Sequence, residues 1–505
     1  MQLSKNNIEK IAAKPGLEIP ASTLFELPEK VLQFGTGVLL RGLPDYFIDK
    51  ANKQGIFNGR VVVVKSTDSD SSAFDKQDGL YTVCVRGIDS GKTVEENIIN
   101  ASISRVLSAK SAWKTILECA HNPEMKIIIS NTTEVGIQLV QDDINSDPPV
   151  SFPGKLLAFL YERFKAFNGS AASGMVIVPT ELITDNGTKL ESIVLELAHR
   201  NNVDFRFIEW LENHNTFCNS LVDRIVPGKP NAEETKKLET ALGYEDELLT
   251  MSEVFRLWAI EGDEKVKEVL SFCQVDAGVV IAPDITLFKE LKLRLLNGTH
   301  TFNCGLGFLS GFNITREAVS DKTFAVFAKK LMHEEIANAI PYEIDKKVKA
   351  DFADRVFERF CNPFIDHQWL SITVQYTSKM KMRNVPLLLK HYENSDRVPM
   401  NMATGFAGFL LYMKATRKDG NKYFGERNGV EYEIKDDSAE YFYTTWQGNT
   451  AETVVDTVLQ NEALWETDLA KLPGFRQAVL DQLEEMSTGN VLQTIAQLEN
   501  KKITV

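Results

Sequence analysis

Runs of β-branched residues, each ending in glycine or polar residues, recur through the first half of the chain with helix-like stretches between them. "KVLQFGTG" (30–37), "GRVVVVKST" (59–67), "MKIIISNTTEVG" (125–136) and "GMVIVPTELI" (174–183) are too continuously apolar for strands with one wet face. Such runs are buried on both sides. Strands of this kind alternating with helices predict a mostly parallel sheet covered on both faces. "SFCQVDAGVVIAPDI" (271–285) closes this half.

From about residue 286 the apolar spacing changes to threes and fours, as in "TFAVFAKKLMHEEIANAI", "FADRVFERF", "MATGFAGFLLYMKA" and "PGFRQAVLDQLEEM". The second half is therefore predicted to be mainly helical. "YFGERNGVEYEIKDD" (423–437) reads as a surface excursion or a small hairpin. A chain of 505 residues exceeds one ordinary core, so at least two domains are expected.

The net charge of −14, from 56 basic and 70 acidic residues, argues against a general nucleic-acid or anionic-membrane binder. It leaves room for a small anionic ligand, because charge inside a cleft can oppose the overall sign. Six scattered cysteines without a CxxC pair suit reduced thiols, and "MQLSKNNIEKIAAKPG" has no apolar signal core. "MATGFAGFLLYM" (402–413) is too short to span a bilayer. A cytoplasmic location is expected.

"LQFGTGVLLRG" follows the first strand, with Gly35 and Gly37 as the first two glycines of GxGxxG and Leu40 in the third position. The motif serves a tight turn and the approach of bare backbone to a pyrophosphate at a helix start. Losing the third glycine affects packing more than phosphate contact. Pro44 suggests that the regular helix begins only after this point. The fold class expected is α/β: a Rossmann-type dinucleotide-binding domain over 1–285, then a mainly α-helical substrate-binding domain over 286–505. A strand-end acid for the ribose 2′-hydroxyl is missing from "VVVVKSTDSD", where Lys65 and Ser66 stand and Asp68 comes later. The residues alone leave NAD and NADP open.

"FKELKLRLLNGTHTFNCGLGF" (288–308) reads as a buried helix, yet Lys292, Asn297 and His300 interrupt it. At about 100° per residue, with Lys292 as zero, His300 falls near 80°, Asn297 near 140° and Arg294 near 200°, pointing away. An amine among leucines must snorkel, find a partner or lose its proton. The neighbouring amide and imidazole favour chemistry: Lys292 exchanging a proton near neutral pH, Asn297 donating to a developing alkoxide, His300 holding a hydroxyl. Gly298 leaves space beside them. No metal is called for, since "HEEIA" (333–337) lacks a second histidine and no GxSxG or GxxxxGK[ST] occurs.

Taken together, these segments resemble the polyol-specific long-chain dehydrogenases of the mannitol dehydrogenase family, over almost the whole chain. "QFGTGVLLRG", "QDGLYTVCVRG" (77–87), "NPEMKIIISNTTEVGI" (122–137), "NSLVDRIVPG" (219–228) and "KLRLLNGTH" (292–300) carry the resemblance. "RFCNPFIDHQWLSI" (359–372) and "FGERNG" (424–429) are similar to the branch acting on sugar acids. The resemblance implies NAD as cofactor and reversible reduction of a sugar-acid ketone, with a small-molecule partner and neither nucleic acid nor membrane. It implies Lys292, Asn297 and His300 as the catalytic set, matching the family's K-x4-N-x2-H. It also puts Phe34, Gly35, Thr36, Gly37, Arg41, Thr133 and Glu134 beside the cofactor.

The resemblance implies an active-site Asp223 as well; the residues alone equally allow a buried ion pair with Arg224. Arg359 and Lys379 are candidates for a substrate carboxylate, and Asn362 and His367 for hydroxyls. The family's second asparagine is missing from "PTELITDNG", where Leu182 stands after Glu181, so the alkoxide site would rest on Asn297 alone.

Overall fold

Six parallel strands form the centre of the first half: β1 (Glu29–Phe34), β2 (Arg60–Lys65), β3 (Ile103–Ser108), β4 (Ile127–Ser130), β5 (Val176–Pro179) and β6 (Thr216–Phe217). This computed structural model describes residues 1–66, 71–133 and 135–501. The sheet order is β3-β2-β1-β4-β5-β6. The chain builds outward from β1 through β2 to β3, then returns to lay β4 on the other side of β1. That reversal leaves a crevice beyond the carboxyl ends of β1 and β4, where open α/β sheets bind ligands.

The pattern of burial explains the runs in the sequence. All six residues of β2 are buried. Side chains alternate between faces, so Val31, Val61, Val63, Ile127 and Ile129 enter one core while Leu32, Val62, Val64 and Ile128 enter another. The first core is closed by helices α1 (Val38–Gly42) and α2 (Pro44–Lys53), the second by α3 (Phe152–Ala166), α4 (Asn186–Arg200) and α5 (Phe205–His214).

Two expectations change. The helix after the glycine loop starts before Pro44: α1 forms first, Leu43 breaks it (φ −133°, ψ −77°), and Pro44 opens α2, where a missing N–H costs nothing. The strand in 271–285, Val279–Ala282, stays outside the main sheet. It pairs with Leu257–Glu261, which in turn pairs antiparallel with Ser220–Asp223. A further four-stranded sheet, built on the strands Tyr81–Asp89 and Lys92–Asn100, accompanies these.

The chain divides into two compact units, Met1–Gly87 with Thr93–Ile285, and Ile88–Lys92 with the chain from Thr286 on. The second unit is mainly helical. Its helices include α6 (Thr286–Leu291), α7 (Thr299–Leu309), α8 (Lys346–Phe360), α9 (Met400–Tyr412) and α10 (Phe475–Thr488), and α9 packs against both α7 and α10. The polar stretch near 423–437 lies in a three-stranded antiparallel meander that turns at Asn428–Gly429, both with positive φ. Among the described residues no helix is long and apolar enough to cross a membrane.

A buried carboxyl beneath the glycine loop has a measurable consequence. Asp45 on α2 is fully buried and accepts from Gln33 Nε2 (3.3 Å) and Tyr81 Oη (3.4 Å). Burial pushes its carboxyl up to about 7, against the opposing pull of Gln33, Arg41 and Tyr81. The ordinary aspartate value is 3.8. Between these values the folded chain keeps a proton that the unfolded chain has released. Stability therefore falls as pH rises from about 4 to 7, by up to about 1.4 kcal/mol per unit. Asp45→Asn is expected to remove that slope. Its urea midpoint, relative to the natural chain, should be higher at pH 8 than at pH 5; an equal offset at both would assign the slope elsewhere.

Candidate active site

The first unit contains the glycine loop at the carboxyl end of β1. Phe34 is buried and ends the strand; Gly35 follows at φ +128°, and its N–H donates to the Val64 carbonyl (3.0 Å). A Cβ at Gly35 would stand 2.8 Å from the Asn131 carbonyl oxygen and 2.9 Å from Leu40 Cδ1. Only glycine admits this approach between the ends of β1 and β4. Thr36 is half-buried, while Gly37 is exposed, caps the start of α1, and would carry a Cβ into open space. Leu40, in the third glycine position, is fully buried. The loop thus keeps bare backbone where a pyrophosphate would lie and uses the third position for core packing. It fits a dinucleotide.

Just past the neighbouring strand β5, Glu181 organises the turn after β4. Its carboxylate accepts from Thr132 N–H (2.9 Å), Thr132 Oγ1 (3.0 Å) and Ser130 Oγ (3.1 Å), and burial raises its pKa. Thr133 follows at φ +90°, exposed; a β-branched residue there is strained, as at many ligand sites. Glu134 lies outside the described residues, as does Asp68. Lys65 is buried at the end of β2. Leu182 is 63% exposed.

Arg41 points inward. Its guanidinium donates to the Leu248 carbonyl and lies over the rings of Tyr81 (5.4 Å) and Phe74 (5.8 Å). Burial lowers its pKa. These contacts anchor α1. Asp223 is buried at the end of the strand Ser220–Asp223. Its neighbour Arg224 donates to the carbonyls of Glu253 (2.9 Å) and Gly42 (2.6 Å) and stacks on Tyr46 (4.4 Å).

In the second unit, α6 and α7 are joined without a break by a π-helical segment, Lys292–Gly298. This changes the angular reading. A π-turn closes from residue i to i+5, so Asn297 stands one turn along from Lys292 instead of being offset by roughly 140°. Lys292 and Asn297 are half-buried and His300 is buried. Arg294 turns into the protein: its Nε donates to Glu290 (2.9 Å), its NH1 to the carbonyls of Met382 (2.9 Å) and Arg383 (2.7 Å). Those carbonyls belong to a second π-segment, Met380–Asn384. The space left by Gly298 is used by Asn384, whose Oδ1 would be 3.0 Å from a Cβ there.

Around His300 gather three of the remaining candidates, Arg359, His367 and Lys379. Its ring lies 4.3 Å from Phe360, 5.0 Å from His367 and 6.1 Å from Trp369, and its buried Nδ1 meets no acceptor or donor among the described residues. Burial, then His367, Arg359, Arg383 and Lys379, holds it well below the ordinary imidazole value. It is neutral. His367 is lowered by burial and by Arg359 and Lys379; Lys379 is lowered by burial and by Arg383, and donates to the Ile372 carbonyl (3.0 Å). Asn362 is buried just past α8, and its Oδ1 accepts from Phe364 N–H (3.0 Å).

Arg383 and Thr301 are absent from the sequence reading. The spacing Lys379–Arg383, four residues on one helical stretch, was the available signal. Among the described residues no cluster of His, Cys, Asp or Glu could hold a metal ion.

The family models decide the kinship. Residues 29–272 match the mannitol dehydrogenase Rossmann domain and 284–487 the mannitol dehydrogenase C-terminal domain. The chain belongs to the mannitol dehydrogenase family. As a member it is an oxidoreductase acting on a CH–OH group, of the polyol and sugar-acid kind. Among similar curated proteins, the altronate oxidoreductase of Halalkalibacterium halodurans is 37% identical, covering 91% of this chain and 90% of its own. That of Bacillus subtilis is 36% identical, covering 93% and 95%. Two solved structures share the fold. The mannitol 2-dehydrogenase of Pseudomonas fluorescens, in a ternary complex with NAD and D-mannitol, has 23% identity and a TM-score of 0.69, covering 99% and 100% of the two chains. A substrate-free D-sorbitol dehydrogenase has 21% identity and a TM-score of 0.80, covering 98% and 100%.

Proposed function

We propose that this chain catalyses the reversible, NADH-dependent reduction of D-tagaturonate to D-altronate. The observation that carries this reading is the gathering of Arg359, His367, Lys379 and Arg383 about a neutral His300. A neutral polyol has no use for so many cationic or protonatable groups in one half-buried place, whereas a sugar acid brings a carboxylate to them. The altronate oxidoreductases among the relatives support the same substrate class.

When bound, the nicotinamide dinucleotide supplies a hydride to the ketone carbon in reduction and accepts it in oxidation. The chain's own residues manage the oxygen. Lys292 gives a proton to that oxygen as the carbon is reduced and takes one from the hydroxyl in the reverse direction. Asn297, one π-turn away, donates an N–H to the oxygen as charge develops on it. His300, uncharged, is suited to a hydroxyl beside the reacting carbon, since a neutral imidazole both donates and accepts. The glycine loop and the turn after β4 hold the dinucleotide, with Gly35, Thr36, Gly37 and Thr133 nearest.

Reduction of fructuronate to mannonate, or of fructose to mannitol, is the nearest alternative within the family. NADH oxidation should be measured with tagaturonate, fructuronate and fructose in parallel. The expected result is the highest kcat/KM for tagaturonate. Preference for fructose would overturn the sugar-acid reading, and preference for fructuronate would correct its stereochemistry.

A further inference from the structure

We infer that Arg383 is the specificity-determining residue for the substrate carboxylate, and that Thr301 ties its grip to the backbone of Asn297. The inference rests on the sugar-acid reading above and names the group within the cluster that does the recognising.

The anchorage is double. The Arg383 carbonyl accepts from Arg294 NH1 (2.7 Å), which fixes its backbone to the π-segment bearing Lys292 and Asn297. Its side chain reaches the same stretch, with NH1 donating to Thr301 Oγ1 (3.2 Å), and Thr301 Oγ1 donating in turn to the Asn297 carbonyl (2.8 Å). A guanidinium held at both ends against the catalytic helix has a set direction, and its planar fork matches a carboxylate.

The same guanidinium is incompletely satisfied. Its Nε is buried and meets no acceptor among the described residues. A buried donor left so is unfavourable, and an incoming anion would relieve it. The nearby group of opposite tendency is the Cys304 thiol, and burial pushes that thiol up to about 12, so it stays protonated and brings no charge. Lys379, by contrast, spends a hydrogen bond on the Ile372 carbonyl and feels Asp436 as well.

The test uses the full chain with tagaturonate and with D-tagatose, its neutral counterpart bearing CH2OH in place of the carboxylate. For the natural chain kcat/KM should favour the acid. Arg383→Gln should lower kcat/KM for the acid by roughly 10²-fold, chiefly through KM. The loss with tagatose should be several-fold at most, so the acid-to-neutral ratio falls at least about tenfold. Arg383→Lys should recover part of that ratio, because charge without the fork is half the recognition. Thr301→Val should lower the ratio in the same direction by a smaller factor.

If the natural chain shows no preference for the acid, the sugar-acid reading fails. If it does, and Arg383→Gln leaves the ratio unchanged, this inference fails alone and the carboxylate belongs to Arg359 or Lys379. Equal losses on both substrates in Arg383→Gln and Arg383→Lys would reduce Arg383 to a structural brace and overturn it too.

Discussion

Replacing Lys292 with alanine is expected to lower turnover by about 10²–10⁴-fold, the range for removing a general acid–base group. Dinucleotide binding should persist. Lys292 sits on the π-segment of the second unit, whereas the glycine loop between β1 and α1 belongs to the first. Steady-state rates and a fluorescence titration with NADH separate the two quantities. Unchanged turnover would remove Lys292 from the chemistry. Lost binding would mean that the substitution had disturbed more than a proton donor. Asn297→Ala should lower kcat in the same assay with little change in KM, because its contact strengthens only as the oxygen gains charge.

The second large effect concerns Gly35. Alanine there would need φ +128°, a conformation costing about 1–3 kcal/mol, and would drive its Cβ to 2.8 Å from a backbone oxygen. The Asn131 carbonyl cannot swing aside as a side chain would, since the Asn131 N–H is held by the Phe34 carbonyl (3.0 Å). Gly35→Ala should therefore reduce both the unfolding temperature and NADH affinity. Gly37→Ala is the informative contrast. Gly37 has φ −61° and open space where a Cβ would lie, so stability should hardly move. NADH affinity should nonetheless fall, because the methyl occupies the room assigned to the phosphates. If both variants bind normally, the dinucleotide does not lie against this loop.

The Lys292–Asn297–His300 set illustrates what a sequence can and cannot convey. Three polar residues on an apolar helix are conspicuous by composition, so the stretch stands out without any structure. Their mutual arrangement does not follow from an α-helical count, because the segment winds as a π-helix. That winding coincides with Arg294, whose bonds go to carbonyls 88 and 89 residues further on. Arg41 and Asn362 show the converse. Each stands in a family-like motif, yet the Arg41 guanidinium is drawn to the Leu248 carbonyl and the Asn362 amide oxygen to its own turn. Type and motif identified them; direction came from neighbours.

By itself the sequence determined the doubly covered parallel sheet, the glycine loop after its first strand, the helical second half and the helix carrying the amine, amide and imidazole. All of these are local: strand burial, turn chemistry and helical periodicity are written in residues close together along the chain. Tertiary structure alone decided the strand order that creates a crevice between β1 and β4, the π-winding that aligns Lys292 with Asn297, and the joining of Arg383 to Thr301 across 82 residues. Such features depend on which distant segments meet, and the free energy that selects among meetings belongs to the packed core as a whole.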